Sequence, residues 1–327
     1  MKILITGGLG FIGSNLVAYL LKKKKISQIL IVDNLSKSSV KYLESITKFK
    51  FFNNIKDYKK SKSRVVVVKA NVIDFKIANI LTKNIDSIVH LAAESGIDIS
   101  ISNPRESFET NVIGTFNYLE SARLNNVKSF IFASSGSVFG DVKPPMIESY
   151  PRIPIAPYGS SKLSIESYCE TYSKVFNIKT TILRFSNAYG LYSSHKKSVV
   201  ANFIKSILDN QPIIINGDGK HTRDYVFAED LVDAIYKSIF KKDKNNIFHI
   251  STGIETTTNK LLSILKKISY KYKLNIPNIK NISSRVGDMR FNSLSTKHTE
   301  KNLRWKHKIS IDNGVERTLK WFLKSYN

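Results

Sequence analysis

The sequence predicts an α/β protein: a doubly wound parallel sheet with helices on both faces, followed by a smaller C-terminal α/β domain. Short apolar runs alternate with helical patterns through the first half of the chain, as in successive βαβ units. Most of these runs are continuously apolar, as expected of strands that are buried on both faces. A glycine-rich turn joins the first run to the first helical pattern.

That first run, residues 2–6, breaks into a turn with glycines spaced three apart, and a helical pattern follows. This is the pattern of a Rossmann-type dinucleotide-binding unit. Its glycines permit a tight turn, a close approach of backbone to a pyrophosphate, and close helix–strand packing. The helix N-terminus adds free N–H groups and a positive dipole end. The predicted cofactor contacts in this turn are Gly7, Gly10, Phe11, Ile12 and Gly13.

The second apolar run, residues 28–32, ends in Asp33. A carboxylate about twenty residues beyond the glycines binds the adenosine ribose in this type of unit. It also repels the 2′-phosphate of NADP, so Asp33 favours NAD, although Lys37 and Lys41 lie close by in the sequence.

The remaining elements follow in order. Strand-like runs lie at 64–69, 86–91, 128–133 and 179–184, and helical segments at about 13–25, 38–47, 74–83, 104–125 and 160–176. They predict a cofactor-binding domain over 1–184, to which segments at about 224–252 return. Helical patterns at 199–209, 228–240, 258–271 and 312–325 predict a substrate-binding domain over 185–327. The polar, basic segment 48–63 is predicted to be a surface excursion.

Composition argues against other classes of protein. The 327-residue chain has a net charge of +25, but its basic residues are dispersed apart from Lys22–Lys25, and no nucleic-acid-binding motif is present. No apolar stretch approaches the roughly 20 residues that span a bilayer. Met1 leads straight into the first strand, and the single cysteine, Cys169, fits a reducing compartment. We expect a cytoplasmic protein with no nucleic-acid, membrane or metal partner.

Tyr158 and Lys162 stand four apart in a helical pattern, and so share one helix face. A phenol has a pKa of about 10 and is a poor base at neutral pH. A nearby ammonium group and a positively charged nicotinamide stabilise the phenolate and lower that pKa. Tyr158 is therefore the predicted general base and acid, and Lys162 its partner.

The strand at 128–133 ends in a cluster of hydroxyl groups, at the edge where α/β sheets bind ligands. Ser135 is the candidate third catalytic residue, which donates a hydrogen bond to the reacting oxygen. Capping of a turn or helix by one of these serines is the alternative.

Further motifs complete an ordered set. They are Thr6–Gly13, Val32–Asn34, His90–Ala93, Asn111–Thr115, Ser134–Ser135, Tyr158 with Lys162, Arg184–Asn187, Arg223–Val226 and Arg285–Asp288. With this set, the chain resembles the extended short-chain dehydrogenase/reductase family, specifically its nucleotide-sugar epimerases and dehydratases. The resemblance covers essentially the full length.

The resemblance implies roles for individual residues. The cofactor site would add Asp33, Asn34, Asn71, Val72, Leu91, Ala92, Ala93, Asn111, Ser134, Tyr158, Lys162 and Ser186 to the glycine turn. The substrate site would consist of Ser135, Tyr158, Asn187, Arg223, Arg285, Asp288 and Asn292. Guanidinium groups match phosphate oxygens geometrically, which suits the two arginines to a nucleotide diphosphate. Asn71 stands where an aspartate usually binds adenine, and Ser95 where UDP-galactose epimerases commonly carry a lysine.

The two residues after Ser135 bear on the reaction. The 4,6-dehydratases of the family carry an Asp–Glu pair there, whereas this chain has Gly136 and Ser137, so elimination lacks its acid and base. The resemblance therefore implies NAD-dependent 4-epimerisation of a nucleotide sugar through a transient 4-keto intermediate. An NAD(P)H-dependent 4-ketoreductase is the alternative, and a 4,6-dehydratase or a non-catalytic NAD-binding regulator is less favoured.

The resemblance restricts the sugar of the substrate and the oligomeric state only in part. Asn292 lies near the position that gates the sugar pocket in this family, and its intermediate size admits a UDP-hexose or a UDP-N-acetylhexosamine. The basic run His195–Lys197 would instead suit a uronate, but a solvated loop is the favoured interpretation of this run. Relatives commonly dimerise through the helix that carries Tyr158, so a homodimer is expected.

Overall fold

A computed structural model describes residues 1–58, 61–244, 246–283 and 290–325. The strands are β1 Lys2–Thr6, β2 Gln28–Asp33, β3 Lys50–Phe52, β4 Val65–Lys69, β5 Ser87–His90, β6 Ser129–Ser135, β7 Lys179–Phe185, β8 Asn187–Tyr189, β9 Ile213–Asn216, β10 Thr222–Phe227, β11 Asn246–Ile250, β12 Glu255–Thr257 and β13 Ile279–Ile282.

The helices alternate with these strands through the first half of the chain. They are α1 Phe11–Leu20, α2 Lys41–Ile46, α3 Phe75–Leu81, α4 Ile97–Ser102, α5 Pro104–Phe108, α6 Gly114–Leu124, α7 Pro157–Val175, α8 Val199–Leu208, α9 Ala228–Ile239, α10 Thr258–Lys271, α11 Lys297–Leu303 and α12 Ile311–Ser325. A π-helical turn, Glu109–Ile113, joins α5 to α6, and a 3₁₀ turn, Gly136–Val138, follows β6.

The main sheet has eight parallel strands in the order β11-β7-β6-β5-β1-β2-β4-β3. The chain runs outward from β1 in one direction through β2 and β4, and in the other through β5, β6 and β7. This confirms the predicted doubly wound sheet. The order reverses at β1, so a crevice opens beyond the carboxyl ends of β1, β2 and β5, where such sheets bind their ligands.

Both faces of the main sheet are buried, which explains the continuous apolar runs. Along β4, Val65 and Val67 pack into one core cluster with α1 and α9, whereas Val66 and Val68 pack into another with α3, α6 and α7. A strand that serves two cores has no solvent-facing side and needs no polar alternation.

The prediction for 48–63 was wrong at one point. Lys50–Phe52 forms β3, which pairs with β4 at the edge of the sheet. Phe52 is buried beneath this edge, while Lys50 is exposed. The apolar pair Phe51–Phe52 therefore adds a strand within an otherwise polar segment, and a basic side chain stands at its exposed end.

The second half of the chain builds smaller sheets, β12-β10-β8 and β13-β9, against a separate core with α8, α10 and α12. Within it, β11 returns to the main sheet beside β7, and α9 packs on the main sheet. β10, which includes residues 224–227, lies in a smaller sheet, so the return of 224–252 to the first domain and the division at residue 184 both stay predictions. In the described ranges, no helix is both long and apolar enough to cross a bilayer.

Candidate active site

The glycine turn lies directly against the end of β5. Gly7 has a φ of +65°, and a Cβ at Gly7 would stand 2.8 Å from backbone atoms of Ala92. A Cβ at Gly13 would stand 2.5 Å from the carbonyl oxygen of Gly7, so only glycine lets α1 start this close to the turn. Gly10 precedes α1, and its Cβ position meets only the Gly7 oxygen, at 3.3 Å. The turn fits a dinucleotide, because it leaves backbone open on the side that a pyrophosphate would approach. Phe11 and Ile12 open the helix.

Asp33 braces this turn. Its Oδ2 accepts a hydrogen bond from the Leu9 N–H at 3.1 Å, and its Oδ1 accepts from Leu35 N–H at 3.0 Å and the Ser38 hydroxyl at 2.8 Å. Asp33 is 8% exposed. The carboxylate therefore stands at the end of β2 beside the glycines, where a ribose would lie. Next to it, Asn34 is exposed and closes a local turn with Ser36.

The far side of the crevice is held by a buried histidine that sequence analysis gave no role. His90 Nδ1 and Nε2 each lie 3.0 Å from a threonine hydroxyl, of Thr6 and Thr115 respectively. The Thr115 hydroxyl donates to Asn111 O at 2.6 Å, so it accepts from Nε2–H, which leaves Nδ1 to accept from Thr6. Burial, with the Lys162 charge nearby, lowers the pKa of His90 to about 3. A neutral imidazole in one tautomer thus joins β1 and β5 to the first turn of α6.

Asn111 fixes the loop after β5. Its Oδ1 accepts from the Glu94 N–H at 2.7 Å, and its Nδ2 lies 3.0 Å from Glu94 O and 3.1 Å from the Ser161 hydroxyl. Leu91, Ala92 and Ala93, which precede Glu94, are partly exposed at the crevice. The amide therefore joins the predicted nicotinamide side to α7.

The adenine side is less enclosed. Asn71 is exposed, and its Oδ1 accepts from Ile73 N–H at 3.3 Å. Val72 is buried, its carbonyl oxygen accepts from Asn117 Nδ2 at 3.1 Å, and its side chain packs against Gly114. The Asn71 oxygen is therefore accessible from solvent, as its predicted contact with adenine requires.

Tyr158 and Lys162 lie in the first two turns of α7, and Pro157 starts this helix. Lys162 is 3% exposed; its Nζ donates to Ala133 O at 2.8 Å and lies 5.7 Å from the Tyr158 ring centroid. Tyr158 is partly exposed. The phenol and the ammonium group therefore share the helix face that meets the end of β6.

The electrostatics of this pair follow from burial. Desolvation raises the pKa of Tyr158 to about 12, opposed by a hydrogen bond with Ser135. Desolvation likewise lowers the pKa of Lys162 to about 8, opposed by the Glu166 carboxylate. At neutral pH the phenol is protonated and the lysine is mostly charged. An added positive charge beside Tyr158 would stabilise the phenolate.

Ser134 and Ser135, at the end of β6, differ in their hydrogen-bond partners. Ser135 Oγ accepts from Ser137 N–H at 3.2 Å and caps the 3₁₀ turn, and the same hydroxyl reaches Tyr158. Ser135 is therefore a cap, as one alternative of the sequence analysis has it, and its hydrogen bond to the reacting oxygen stays a prediction. Ser134 is buried and donates to Glu166 at 2.6 Å, so its hydroxyl is engaged in the protein interior.

The predicted substrate residues other than Ser135 and Tyr158 lie in the second half of the chain. Asn187 is exposed at the start of β8, which pairs with β10 next to Arg223. Arg223 donates from Nη1 to Thr222 O at 2.7 Å. Ser186 Oγ lies 3.4 Å from Oδ1 of Asp224. Arg285 and Asp288 lie outside the described residues.

Asn292 is 7% exposed, and its Oδ1 has no hydrogen-bond partner among the residues that the structure describes. Two residues further, the side chain of Leu294 reaches within 3.2 Å of the Cβ position of Gly136, beside Ser135. The structure therefore brings the segment around Asn292 against the turn that follows the catalytic strand. An unpaired buried acceptor in a predicted sugar pocket suits a donor on the ligand.

Sequence analysis missed several positioning residues besides His90. Asp224 is buried and accepts from Thr252 N–H and hydroxyl, both at 2.8 Å, and from Gly253 N–H at 2.8 Å, while burial raises its pKa. Glu166 stands four residues after Lys162 on the same helix face. The helical spacing was the available signal for Glu166, whereas the partners of Asp224 lie too far along the chain to be predicted.

Comparison with known proteins decides the family. Residues 3–251 match the model of the NAD dependent epimerase/dehydratase family. The chain belongs to this family. It is therefore an NAD-dependent enzyme, and the residues of the glycine turn and of β2 fit that cofactor.

Individual relatives agree with this assignment. A protein described as a putative UDP-glucose 4-epimerase from Methanocaldococcus jannaschii is 33% identical over 98% of this chain and 97% of its own length. The solved UDP-glucose 4-epimerase of Thermotoga maritima, with UDP-glucose, superposes with a TM-score of 0.88 at 32% identity and full coverage of both chains. A dTDP-glucose 4,6-dehydratase from Streptomyces venezuelae, with NAD bound, superposes equally at 0.88, with 27% identity and 99% and 98% coverage.

Proposed function

We propose that the chain catalyses NAD-dependent 4-epimerisation of a nucleotide sugar. The observation that carries the choice is the 3₁₀ turn after β6, where a dehydratase would need its acid and base. Here Gly136 is buried against Leu294, and Ser137 has an Oγ that is buried without a partner. Neither side chain can protonate a leaving hydroxyl at neutral pH or remove a carbon-bound proton.

The catalytic residues suit a reversible proton transfer at one oxygen. Tyr158 would take the proton of the C4 hydroxyl and later return it, while Ser135 donates a hydrogen bond to the same oxygen. Lys162 stabilises the phenolate form through its charge. Bound NAD would supply reversible acceptance of hydride from the sugar carbon, held by the glycine turn, Asp33 and the loop after β5.

The proposed substrate is a UDP-hexose or a UDP-N-acetylhexosamine. Relatives described as UDP-glucose 4-epimerases support the uridine nucleotide. The unpaired Oδ1 of Asn292 supports a sugar with a donor group, which an acetamido N–H or a hydroxyl provides. Arg223 and Asn187 would hold the diphosphate end.

The buried, unpaired thiol of Cys169 is consistent with the cytoplasmic location predicted above.

A panel of sugar nucleotides tests the proposal directly. Purified protein is incubated with UDP-, GDP- and dTDP-sugars, products are separated by chromatography, and absorbance at the NADH band is followed. We expect interconversion of a UDP-sugar and its C4 epimer with no net change in NADH. Product formation that requires added NADPH would instead establish the ketoreductase, and loss of water would establish a dehydratase.

We also propose that the protein is a homodimer formed through α6 and α7. Apolar side chains are exposed along this face, with Leu124 at 46%, Tyr168 at 45% and Phe176 at 43%. The ring centroids of Phe116 and Tyr168 lie 5.2 Å apart, and those of Tyr172 and Phe176 lie 4.9 Å apart, so the exposed rings of Tyr168 and Phe176 each pack on a less exposed aromatic ring. Surfaces of this kind mark contacts between proteins, and a two-fold pairing of one face is the commonest solution.

Tyr168→Glu should weaken the dimer, because it places a charge within the apolar face. We expect a loss of at least about 2 kcal/mol of association free energy, seen as dissociation in sedimentation equilibrium. Tyr270→Glu is the matched control, since Tyr270 is an exposed tyrosine on α10. Equal dimer dissociation constants for the two variants would refute this interface.

A further inference from the structure

A fully buried ion pair lies one helical turn beyond Lys162. Neither side chain of the pair has exposed surface, and Arg184 Nε and Nη2 lie 2.9 and 2.7 Å from the two carboxylate oxygens of Glu166. Buried ion pairs contribute little to stability compared with apolar residues of similar volume. Stability alone is therefore a weak explanation for this pair.

We propose that Glu166 and Arg184 are positioning residues that keep Lys162 charged and in register with β6. The proposal deepens the function proposed above and rests on it, because Lys162 matters there as the partner of Tyr158. It concerns residues that touch neither the sugar nor the cofactor, and that act through the lysine.

Two hydrogen bonds join neighbouring turns of α7 to β6. Lys162 Nζ donates to Ala133 O at 2.8 Å, and the next residue of β6, Ser134, donates to Glu166 Oε1 at 2.6 Å. Residues four apart on a helix lie on one face, so α7 is joined to adjacent residues of β6 by adjacent turns. Two such contacts fix both the height and the rotation of the helix. Arg184, on β7, extends the same attachment to the neighbouring strand.

The Glu166 carboxylate also interacts electrostatically with Lys162. The Glu166 carboxylate raises the pKa of Lys162, against the effect of burial. Arg152 Nη1 lies 3.6 Å from Glu166 Oε2 and 3.1 Å from Glu170 Oε1. Glu166 therefore faces a second guanidinium group besides that of Arg184, and it shares this group with Glu170. Lys162 itself faces the neutral phenol of Tyr158 within its own helix and a guanidinium-paired carboxylate one turn on.

Three further titratable groups near the pair, His90, His249 and Cys169, are uncharged at neutral pH. Burial lowers the pKa of His90, beside Lys162, and of His249, whose Nε2 lies 3.5 Å from Arg184 Nη1, to about 3 in each case. Burial raises the pKa of the Cys169 thiol, one turn along α7. Glu148 lies 3.5 Å from His249 Nδ1, whereas the carboxylate that acts on the Lys162 charge is that of Glu166. Glu166 is therefore the carboxylate that supports the charge of Lys162.

The test measures the titration of Lys162 itself. Lysine side-chain NMR of the full-length protein labelled with ¹⁵N-lysine, with Lys162 assigned by its loss in Lys162→Met, gives the titration midpoint. In Glu166→Gln we expect this midpoint to fall by about one pH unit, the low end of the effect of a nearby opposite charge. Glu170→Gln is the matched control on the same helix, and should leave the midpoint unchanged. An unchanged midpoint in Glu166→Gln overturns the proposal.

A second variant covers the case in which Glu166→Gln does not fold, because it leaves Arg184 as an unpaired buried cation. Glu166→Leu with Arg184→Met removes both charges and should restore the wild-type melting temperature. A purely structural role then predicts a wild-type Lys162 midpoint, whereas our proposal predicts that the midpoint stays low. The titration needs no turnover, so it remains interpretable if the sugar panel shows no epimerase activity.

Discussion

Tyr158→Phe should lower kcat for epimerisation by about 10²–10⁴-fold, the range expected when a general acid–base group is lost. The ring stays in place, and only the hydroxyl that meets Ser135 is removed. In free energy the loss corresponds to about 3–5 kcal/mol of transition-state stabilisation. Steady-state rates with the preferred sugar of the panel give the number.

Two measurements separate this effect from a loss of structure. Bound NAD, released by denaturation and quantified, should remain at the wild-type ratio, because the glycine turn and Asp33 are untouched. Tyr168→Phe serves as the matched control, since Tyr168 lies further along α7 with its ring exposed, and it should leave kcat unchanged. Retention of most activity in Tyr158→Phe would show that another group is the base.

The first half of the fold was predictable because each signal is local. A short continuous apolar run bounded by turn signals is typical of a strand buried on both faces, and glycines at every third position between such a run and a helical pattern indicate a tight turn. The Cβ positions at Gly7 and Gly13 show why, since each would collide with backbone. The helix at 104–125 was predicted as one element, but a π-helical turn interrupts it, and a periodic apolar pattern cannot reveal such a turn.

The parts of the site that escaped prediction depend on distant partners. His90 was named only as part of a motif, because its role depends on hydroxyls 84 and 25 residues away, on Thr6 and Thr115. The hydroxyl of Ser134 was expected at the cofactor and is bonded to Glu166, 32 residues on. A residue type and a spacing can indicate chemistry, whereas the direction of a buried side chain follows from the packing of several elements.

The sequence predicted the residues of the acid–base site, and the structure added the burial and the charged neighbours that control their pKa values. Tyr158 and Lys162 come from the first two turns of α7, and Ser135 comes from the end of β6. Burial shifts the pKa values of Tyr158 and Lys162, and the Glu166 carboxylate opposes that shift at Lys162. The enzyme therefore needs the buried groups that pack against α7, such as Glu166 and Arg184, as well as the catalytic groups themselves.

Lys162→Met should reduce kcat at pH 7 by about 10²-fold or more, within the range for acid–base groups. The methionine fills the same volume but provides no positive charge, so the Tyr158 phenolate is no longer stabilised. Burial raises the pKa of Tyr158 to about 12, and this value then governs the variant. We expect its rate to rise with pH throughout the alkaline range, as the fraction of phenolate grows.

The wild-type profile should flatten above neutrality. Burial lowers the pKa of Lys162 to about 8, so above that pH the Tyr158–Lys162 pair has lost one proton. The phenolate–ammonium form and the phenol–amine form then contain the same number of protons, so the population of the phenolate–ammonium form no longer grows with pH. The wild-type rate should therefore level off above about pH 8 while the rate of Lys162→Met increases. Lys174→Met, at an exposed position in the last turn of α7, is the control and should follow the wild-type profile. Parallel profiles for Lys162→Met and the wild type would mean that the charge on Lys162 does not control the ionisation of Tyr158.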